Sequence, residues 1–413
     1  MNNTQTKYTA IAAILSLSSV PLMGAGFQLA ERSARGMGRA FSGEAAIADD
    51  ASVIASNPAG MILLDDNAIS AGLQFIDPNV NIKGAHPHPM GGAVSDKDVA
   101  SSALIPYFFF SKKINDHLSV GLGTYSSFGL ATDYSSGAAS IIGTDKSEIT
   151  TVTINPSLAY RVNEALSVGV GLDIMYAEGR LTAANTAFDP IPGPVGSSLF
   201  DLQGDDWSIG WNIGLLYQLN ESTRIGLHYR STFDLKIEGD ASGALVGGVK
   251  RDATLEVELP DTLELSVYHE VNDKWAVHGD VLWTNWSTFK QLAPKVGIPA
   301  ADAALVVDEN WEDAFRYSIG VTYKHSDRLT LRGGLAYDES PVRTQDRTLR
   351  IPDGDRIWAS IGATIKLNDC YNLDLAYTHI FAGDSDVNLN EPQFNGKAGG
   401  DVDMIAVGIS GSF

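Results

Sequence analysis

The sequence has almost nothing with which to cross-link itself. Cys370 is the only cysteine in 413 residues, so an intramolecular disulfide cannot form. The fold must therefore be held together by hydrogen bonds and packing.

Basic residues are scarce relative to acidic ones. The chain has 29 Lys and Arg against 50 Asp and Glu, a formal charge of −21. A nucleic-acid-binding protein needs a basic face to meet the phosphates, so we expect no nucleic-acid partner. Acidic pairs such as Asp308-Glu309 fall in long segments between strands. They are either solvated there or bridged by divalent ions to anionic surface lipid.

Long apolar runs are missing after residue 25. No later stretch approaches the ~20 apolar residues that a membrane helix needs. A membrane protein without such helices must be a closed β-barrel, because lipid cannot satisfy the open edge of a sheet.

The N-terminus has the pattern of a secretory signal. Lys7 precedes an apolar core from Tyr8 to Val20, and Leu22-Met23-Gly24 leads to a predicted cleavage before Ala25. We therefore expect residues 1–24 to be a signal peptide, with a buried core helix as the alternative interpretation.

Six short polar turns recur along the chain. They are Ile114-Asn115-Asp116, Val162-Asn163-Glu164, Leu219-Asn220-Glu221, Val271-Asn272-Asp273, His325-Ser326-Asp327 and Leu367-Asn368-Asp369. Asn, Asp and Ser side chains bond to nearby backbone and tolerate turn dihedrals. Longer Gly-, Pro- and Asp-rich stretches lie between these turns, so one edge of the sheet has short turns and the other has long loops, as in an outer-membrane barrel.

The segments beside the turns alternate apolar with small or polar residues, most clearly in Leu166–Ile174. The predicted strands are 67–75, 103–114, 118–128, 147–161, 165–182, 205–218, 223–238, 254–270, 274–290, 311–324, 329–338, 355–366, 371–381 and 401–413. We therefore predict an all-β fold, an antiparallel transmembrane barrel of about 14 strands over residues 67–413. A soluble sandwich also alternates, but it rarely needs so many long strands with Gly and Ser on the second face.

Residues 25–66 do not fit the strand pattern. They are rich in Gly and Ala, and Asp49 or Asp50 is placed to cap a short helix that ends before Asn57-Pro58-Ala59. A barrel of this size encloses a lumen too wide for wall side chains to fill. We predict that residues 25–66 form a hatch inside it. Gly36 and Gly38 do not form a dinucleotide loop, because no βαβ unit surrounds them.

Several motifs together resemble the FadL family of outer-membrane transporters of long-chain fatty acids and other hydrophobic compounds. They are Ala25–Leu29, Gly38-Arg39-Ala40, Ala48–Ala51, Asn57-Pro58-Ala59, Gly129–Tyr134, Tyr337–Val342 and Arg350–Trp358, with Phe413 at the end. The resemblance covers essentially the whole mature chain. It implies a 14-stranded barrel with an N-terminal hatch.

The resemblance also implies a transport route. Ligand is captured by extracellular loops, passes to an inner pocket and leaves sideways through a kink in the third strand. It places Phe27 at the pocket and Asn57, Pro58 and Ala59 in a hatch turn. Ser126, Ser127, Phe128 and Gly129 are the kink candidates, since Gly inside a strand often marks a bulge; the ordinary end of a strand is the alternative.

A fatty-acid carboxylate in an apolar pocket needs a cationic or donor-rich partner. Arg180, late in the fifth strand, is the predicted cation, and Ser126 is a second donor. The resemblance also implies a basic residue in some fatty-acid transporters where Glu312 stands here. Its loss would favour a neutral ligand such as an alkane or an aromatic hydrocarbon.

Apolar residues in two long loops are candidates for the capture groove. They are Phe188, Ile191, Val195, Leu199, Phe200, Leu245 and Val246. Such residues exposed together would be unusual unless they bind something; packing within the loops is the alternative. His86-Pro87-His88 is a weak metal signal, because no Cys or paired carboxylate accompanies it.

The predicted function is passive uptake of long-chain fatty acids or related hydrophobic molecules across the outer membrane. A hydrocarbon or aromatic-compound channel and a general diffusion porin are the alternatives. No nucleophile-elbow or other catalytic constellation is seen, so we expect no enzyme. We expect outer-membrane lipid and lipopolysaccharide as surroundings, a monomer, no metal and no cofactor.

Overall fold

The computed structural model describes residues 26–65, 67–88, 91–189, 191, 193–389 and 394–413. The predicted signal peptide, residues 1–24, lies outside the described residues. No helix in these stretches is long and apolar enough to cross a membrane.

Strands make up most of the described chain. In order they are β1 (Asn67–Pro78), β2 (Asn81–Ala85), β3 (Ala93–Asp96), β4 (Ala103–Asn115), β5 (Leu118–Tyr125), β6 (Gly129–Asp133), β7 (Thr144–Arg161), β8 (Leu166–Ala184), β9 (Ser198–Asn220), β10 (Thr223–Arg230), β11 (Phe233–Ser242), β12 (Arg251–Leu259), β13 (Thr262–Glu270), β14 (Trp275–Thr284), β15 (Gln291–Leu292), β16 (Val307–Asp308), β17 (Ala314–Ser326), β18 (Leu329–Asp338), β19 (Arg356–Lys366), β20 (Tyr371–Ala382), β21 (Ser385–Leu389), β22 (Phe394–Gly399) and β23 (Val402–Ser412).

Helices are few and short. They are α1 (Ala34–Met37), α2 (Glu44–Ile47), α3 (Val53–Ser56), α4 (Ser136–Ile142) and α5 (Pro299–Ala304), with 3₁₀ turns at Pro58–Leu63, Ala244–Val246 and Trp286–Thr288.

The wall is a closed antiparallel barrel of 14 strands, which confirms the predicted fold class. Three wall strands are each built from two pieces: β5 with β6, β10 with β11, and β12 with β13. The barrel closes because β1 pairs with the last strand on one side and with β4 on the other, for example Ala71 with Ile409 and with Phe108.

The six predicted turns join neighbouring wall strands. In five of them the Asn side chain accepts the backbone N–H two residues later, and Ser326 does so in the sixth. These bonds replace backbone partners at each reversal, which is why Asn recurs there.

The two faces of a wall strand differ as predicted. Ile405, Val407 and Ile409 of β23 each expose about half of the side chain outward, at 53%, 47% and 50%, whereas Met404 and Ala406 are buried inward. An outward apolar band of this kind is what a lipid-facing barrel presents.

The long loops contain structure that the sequence analysis did not predict. Segments expected to be loops near 76–102 and 382–400 form a four-stranded sheet in the order β21-β22-β2-β3. Its apolar side packs with Tyr134 and Ile142 into one buried cluster. The predicted strand 274–290 instead ends at Thr284, and Trp286 and Phe289 turn inward.

The segment from Gly26 to Leu63, here called the luminal segment, lies inside the barrel. Its residues are almost all buried, and it touches wall strands on every side. Gly38 lies against Gly362 of β19, Ala45 against Gly226 of β10, and Met61 against Gly121 of β5. The small wall residues let the segment's backbone approach closely. The predicted short helix is α3, which ends at Ser56, before Asn57; its N-cap residue is Ser52 and not Asp49 or Asp50.

Candidate functional site

Four aromatic side chains surround Phe27, and the five rings together are called the aromatic box. The Phe27 ring centroid lies 4.8 Å from Trp286, 5.5 Å from Phe289, 5.8 Å from Trp311 and 6.2 Å from Phe128, all in edge-to-face geometry. Such contacts add roughly 0.5–1.5 kcal/mol per pair beyond buried area. The motif resemblance predicts Phe27 at the pocket, but nothing local in the sequence predicts its four partners.

The box is the centre of a larger apolar cluster, which we call the inner cluster. Its other members are Leu130, Ile149, Met175, Ala177, Phe233, Leu235, Ile237, Leu255, Val257, Leu259, Leu292, Ala314, Val342 and Ile351. They come from the luminal segment, the wall and the extracellular loops. The luminal segment, the wall and the extracellular loops therefore meet at one apolar site, the inner cluster.

The third wall strand is interrupted beside Phe27. Between β5 and β6, residues 126–128 face only two residues of β7, because Tyr125 pairs with Thr153 and Gly129 with Thr150. Three residues opposite two is a β-bulge, which bends a strand. The bulge comprises three of the four predicted kink residues, Ser126, Ser127 and Phe128, while the fourth, Gly129, begins β6 and pairs with Thr150.

The luminal segment bonds to this bulge. Leu29 N–H donates to the Ser127 carbonyl and Gly129 N–H donates to the Phe27 carbonyl, each at 2.9 Å. Phe128 also bonds Thr151 Oγ1 through both its N–H, at 3.1 Å, and its carbonyl, at 2.7 Å. The kinked stretch is thus tied to the interior on one side and to β7 on the other.

The same stretch is not paired with β4, the wall strand on its other side. The ladder between β4 and β5 ends at Phe108 with Thr124, and the next pairing in the described chain is an isolated bridge between Ala100, which precedes β4, and Thr132 of β6. Residues 101–107 and 125–131 therefore flank an interval of wall without a ladder.

The turn Asn57-Pro58-Ala59 docks the luminal segment on the wall. Asn57 Nδ2 donates to the Ala45 carbonyl at 2.7 Å and to the Leu215 carbonyl at 2.9 Å, and Asn57 Oδ1 accepts from Ala59 N–H at 3.1 Å. A Cβ at Gly214 would lie 1.9 Å from Asn57 Oδ1. Only glycine leaves room for Asn57 at that wall position.

A buried ionic network holds the middle of the luminal segment. Arg35 Nε lies 2.9 Å from Asp374 of β20, Arg39 lies 2.8 Å from Glu44 and 3.1 Å from Asp49, and Asp49 in turn lies 3.1 Å from Arg332 of β18. The network explains why charged residues occur in a segment that is otherwise rich in Gly and Ala.

A groove of about 440 Å³ opens beside the inner cluster. It runs between the β11–β12 ribbon and the stretch Thr288–Gln291. Leu235, Val257 and Phe289 line it and also belong to the inner cluster, while Lys236 and Glu258 lie on its rim. The groove therefore borders the inner cluster.

Arg180 does not reach this site, so its predicted role in binding the carboxylate is not supported. It pairs in register with Gln203 and alternates with the inward, buried Gly179 and Leu181. Its guanidinium bonds Asp201 at 3.1 and 2.9 Å on the outer face, where the two side chains are 40% and 32% exposed. The prediction came from the position of Arg180 late in its strand, and that position does not decide to which face of the wall the side chain points.

The predicted capture residues are divided between two places. Phe200 and Val246 are fully buried with Ala301 and Leu305, and Leu245 packs against them. Leu199 precedes Phe200 and is half-buried. This is packing within the loops rather than an open groove.

Phe188 lies apart from that loop cluster. It stacks on His86 at 4.4 Å between ring centroids and also contacts His88, at 4.8 Å. The two histidines therefore contact an aromatic ring. Within the described residues, no group of three or more potential ligands is placed to hold a metal.

Three polar groups at the extracellular end of the inner cluster were missed as site residues. Glu309 is fully buried; its carboxylate accepts from Trp311 Nε1 at 3.1 Å and from Thr348 Oγ1 at 3.3 Å. Burial raises the pKa of Glu309 to about 8. Arg350, two residues after Thr348, is also buried, and burial lowers its pKa to about 10. Of the three, only Arg350 lies in a quoted motif, Arg350–Trp358, and no local pattern marks Glu309 or Thr348 as site residues.

Comparisons with known proteins agree with this architecture. The family described as outer membrane protein transport protein (OMPP1/FadL/TodX) matches residues 15–413. The long-chain fatty acid transport protein of Salmonella typhi is 36% identical over 421 residues, 94% of this chain and 95% of that protein. Outer membrane protein P1 of Haemophilus influenzae is 34% identical over 414 residues, 90% of this chain and 89% of that protein.

Solved structures share the fold. A Pseudomonas aeruginosa FadL homologue superposes with a TM-score of 0.83 at 22% identity, covering 94% of this chain and all of that one. The Pseudomonas putida toluene transporter TodX gives 0.72 at 17% identity, covering 95% of this chain and 100% of its own. With its barrel, luminal segment and inner cluster, this chain belongs to the OMPP1/FadL/TodX family of outer-membrane transport proteins.

Proposed function

We propose that the protein takes up long-chain fatty acids or related hydrophobic molecules by passive diffusion and releases them sideways into the membrane. The aromatic box carries the proposal, because one ring, Phe27, belongs to the luminal segment and the other four belong to the wall and loops. An apolar ligand and Phe27 would compete for the same place.

The entrance in this proposal is the groove beside Phe289. Transfer of a hydrocarbon chain from water into this groove is favourable, because each CH₂ group removed from water contributes about 0.8 kcal/mol of transfer free energy. The groove floor is continuous with the inner cluster, so the ligand can move inward without returning to water. The loop cluster of Phe200 and Val246 then serves to hold the rim in shape.

The exit in this proposal is the interval of wall without a ladder beside the bulge at Ser126–Phe128. A greasy solute that left through the lumen would meet the buried ions around Arg35 and Asp49 and then water. A side exit keeps the chain in an apolar medium throughout. The luminal segment would act as the hatch that separates these two paths.

The position of the luminal segment argues against a general diffusion porin. It contacts wall strands all round the lumen, through Gly38, Ala45, Asn57 and Met61 among others. A porin needs an open water-filled bore. Large, steady ion conductance from the intact protein in planar bilayers would favour the porin.

Deleting Ser127 tests the lateral exit. The deletion leaves two residues opposite two on β7 and restores a regular strand, so the ladder with β4 should extend past Phe108 and close the interval. We expect at least a ten-fold loss of radiolabelled oleate uptake by whole cells, with ligand binding by the purified protein retained. Ser127→Ala, which keeps the bulge, is the control. Normal uptake by a correctly inserted deletion variant would contradict lateral release.

A channel for neutral hydrocarbons is the second candidate. Its support is the box itself, because five edge-to-face aromatic rings suit a small aromatic solute as well as an alkyl chain. Competition between toluene and oleate for the purified protein would separate the two, since a fatty-acid transporter should prefer oleate strongly.

A further inference from the structure

Arg350 is a buried cation at the margin of the inner cluster, and it forms no ion pair among the described residues. Arg350 lies in the extracellular loop between β18 and β19, next to Ile351, which is a member of the inner cluster. In the part of the chain that the structure describes, its guanidinium bonds only neutral groups, Ser147 Oγ at 3.2 Å and the Thr182 carbonyl at 3.1 Å. Both bonds use Nη1, which leaves Nε and Nη2 without a bond among those residues.

The Arg350 guanidinium lies on the inward face of the wall, next to the inner cluster on its extracellular side. Ser147 and Ile149 are both buried on one face of β7, and two residues of a strand span about 7 Å. On the neighbouring strand β6, Thr132 pairs with Ser147 and its Oγ1 donates to the Arg350 carbonyl at 3.0 Å, while Leu130, two residues before Thr132, pairs with Ile149 and belongs to the inner cluster. An alkyl chain lying against the inward face of the Leu130–Ile149 pair would have one end at Arg350.

The other arginines of this loop, and Arg356 at the start of β19, are bonded to other groups. Arg347 donates to three backbone carbonyls, at 2.6, 2.8 and 3.1 Å. Arg343 pairs with Glu312 and Asp346, and Arg356 pairs with Asp353. Arg350 thus differs from its neighbours in having neither a carboxylate nor a full set of carbonyl partners.

The nearest acid does not cancel this charge at neutral pH. Glu309 bonds Trp311 and Thr348 rather than Arg350. Burial raises the pKa of Glu309 to about 8, so it is mostly protonated at pH 7, whereas the lowered pKa of Arg350, about 10, still leaves it charged. A buried guanidinium without a counter-charge is costly, and an anionic ligand group would relieve that cost.

We propose that Arg350 binds the carboxylate of a long-chain fatty acid whose hydrocarbon tail lies in the inner cluster. The inference rests on the uptake function proposed above and gives it a ligand class, an anionic head on an apolar chain. It also assigns to Arg350 the role that sequence analysis gave to Arg180. Thr348 and the protonated Glu309 complete the polar end of the site.

Binding of two matched probes tests this assignment. Hexadecanoate and hexadecan-1-ol have the same chain and differ in the charge of the head, and Trp286 and Trp311 in the box supply a fluorescence signal. At pH 7.5, Arg350→Gln should weaken hexadecanoate binding by about 10-fold to 100-fold, the usual range for a hydrogen bond to a charged group, and change hexadecan-1-ol binding by less than about 3-fold. Arg350→Lys should restore part of the loss.

Arg180→Gln is the matched control and should change neither affinity, because that side chain lies on the outer face. An equal loss for both probes in Arg350→Gln would mean that Arg350 only pins the loop to β7 and β8, and an unchanged hexadecanoate affinity would also overturn the assignment. If the unmodified protein binds neither probe, the proposed function fails as well, so the two failures are distinguishable.

The pH dependence gives a second readout that a structural role would not produce. As the pH rises through about 8, Glu309 becomes charged and competes with the ligand for Arg350. Hexadecanoate affinity should therefore fall between pH 7 and pH 9 while hexadecan-1-ol affinity stays level, and Glu309→Gln should abolish the difference. A fall that persists in Glu309→Gln would contradict the shared site.

Discussion

Two stretches of the luminal segment are held in place by different interactions. We call residues 26–30 the aromatic half and residues 34–50 the ionic half. Residues 26–30 are held by the aromatic box and by two backbone bonds to the bulge in the third strand. Residues 34–50 are held by a buried ionic network that reaches β18 and β20. The first half offers contacts that any apolar solute can replace, whereas the second offers contacts that only a matched set of charges can replace.

This difference indicates which half can move during transport. Aromatic contacts are non-directional enough for a ligand tail to substitute for Phe27. Breaking one partner out of a buried ionic network leaves an uncompensated charge, which costs several kcal/mol. We therefore expect the ionic half to stay fixed as an anchor while the aromatic half exchanges with ligand.

The largest effect should follow from breaking the anchor. Arg35→Ala leaves Asp374 and Asp50 facing each other in the lumen without their cation, so we expect a loss of about 3–5 kcal/mol of unfolding free energy. Urea unfolding in lipid vesicles would measure it. A loss below about 1 kcal/mol would show that the network is hydrated and that the anchor is elsewhere.

Locking the aromatic half should stop transport without destabilising the barrel. Gln28 and Phe128 form an isolated antiparallel bridge whose hydrogen bonds run between their neighbours. Such a pair brings the Cα atoms to about 4.5 Å, close enough for a disulfide. In a Cys370→Ser background, Gln28→Cys with Phe128→Cys should abolish uptake when oxidised and regain it on reduction.

The single-cysteine proteins, treated in the same way, control for the loss of the Phe128 ring. Full uptake by the oxidised double variant would mean that the aromatic half need not move, and the comparison between the two halves would then fail.

Removing the Phe27 ring should have a smaller effect than the disulfide lock, and it should strengthen ligand binding. If the ring fills the place of the ligand, Phe27→Ala removes a competitor whose burial is worth about 1.5–3 kcal/mol. We expect fatty-acid affinity to rise by about 10-fold or more, measured by tryptophan fluorescence. A weaker affinity would identify Phe27 as a ligand contact instead of a competitor.

Between the two halves, Glu31 should make the seating of the aromatic half depend on pH. It is fully buried, both carboxylate oxygens lack a partner among the described residues, and burial raises its pKa to about 7. From its ordinary value of 4.5 up to about 7, the unseated segment ionises before the seated one, so seating weakens as the pH rises through this window and then levels off.

Hydrogen exchange of the Leu29 amide, compared with that in Glu31→Gln at pH 5.5 and pH 8, would measure this effect. The Gln variant corrects for the intrinsic pH dependence of exchange. Equal protection in both proteins at both pH values would show that Glu31 does not titrate there.

Much of the barrel could be predicted because each strand repeats the same physical pattern. Asn115, Asn163 and Asn368 mark turns by a local bond to the backbone two residues on, and alternation in Leu166–Ile174 needs no distant partner to be recognised. The extracellular sheet was missed because β2 and β22 pair across more than 300 residues of sequence, and short strands in polar loops carry no strong period.

The site was less predictable because it is assembled from contacts between distant segments. Phe27 and the bulge at Ser127 came from motif resemblance, but Trp286 and Trp311 were not assigned to the box, since nothing local shows that the chain turns inward after Thr284. Arg350 and Arg180 look equivalent in sequence. Only the direction of the side chain, which depends on strand register and loop packing, separates them.

Substitution of Arg180 should have the smallest effect on stability, uptake and affinity. That result is as informative as the large loss expected for Arg35→Ala. Its pair with Asp201 lies in an exposed position on the outer face, where ion pairs contribute between nothing and about 1 kcal/mol. Arg180→Gln should therefore leave unfolding free energy, uptake and fatty-acid affinity all within error of the unmodified protein. A selective loss of fatty-acid affinity would mean that ligand first meets the barrel from outside at this strand. The anionic head would then be recognised before it enters the groove, and the division between a fixed ionic half and an exchangeable aromatic half would no longer describe the whole route.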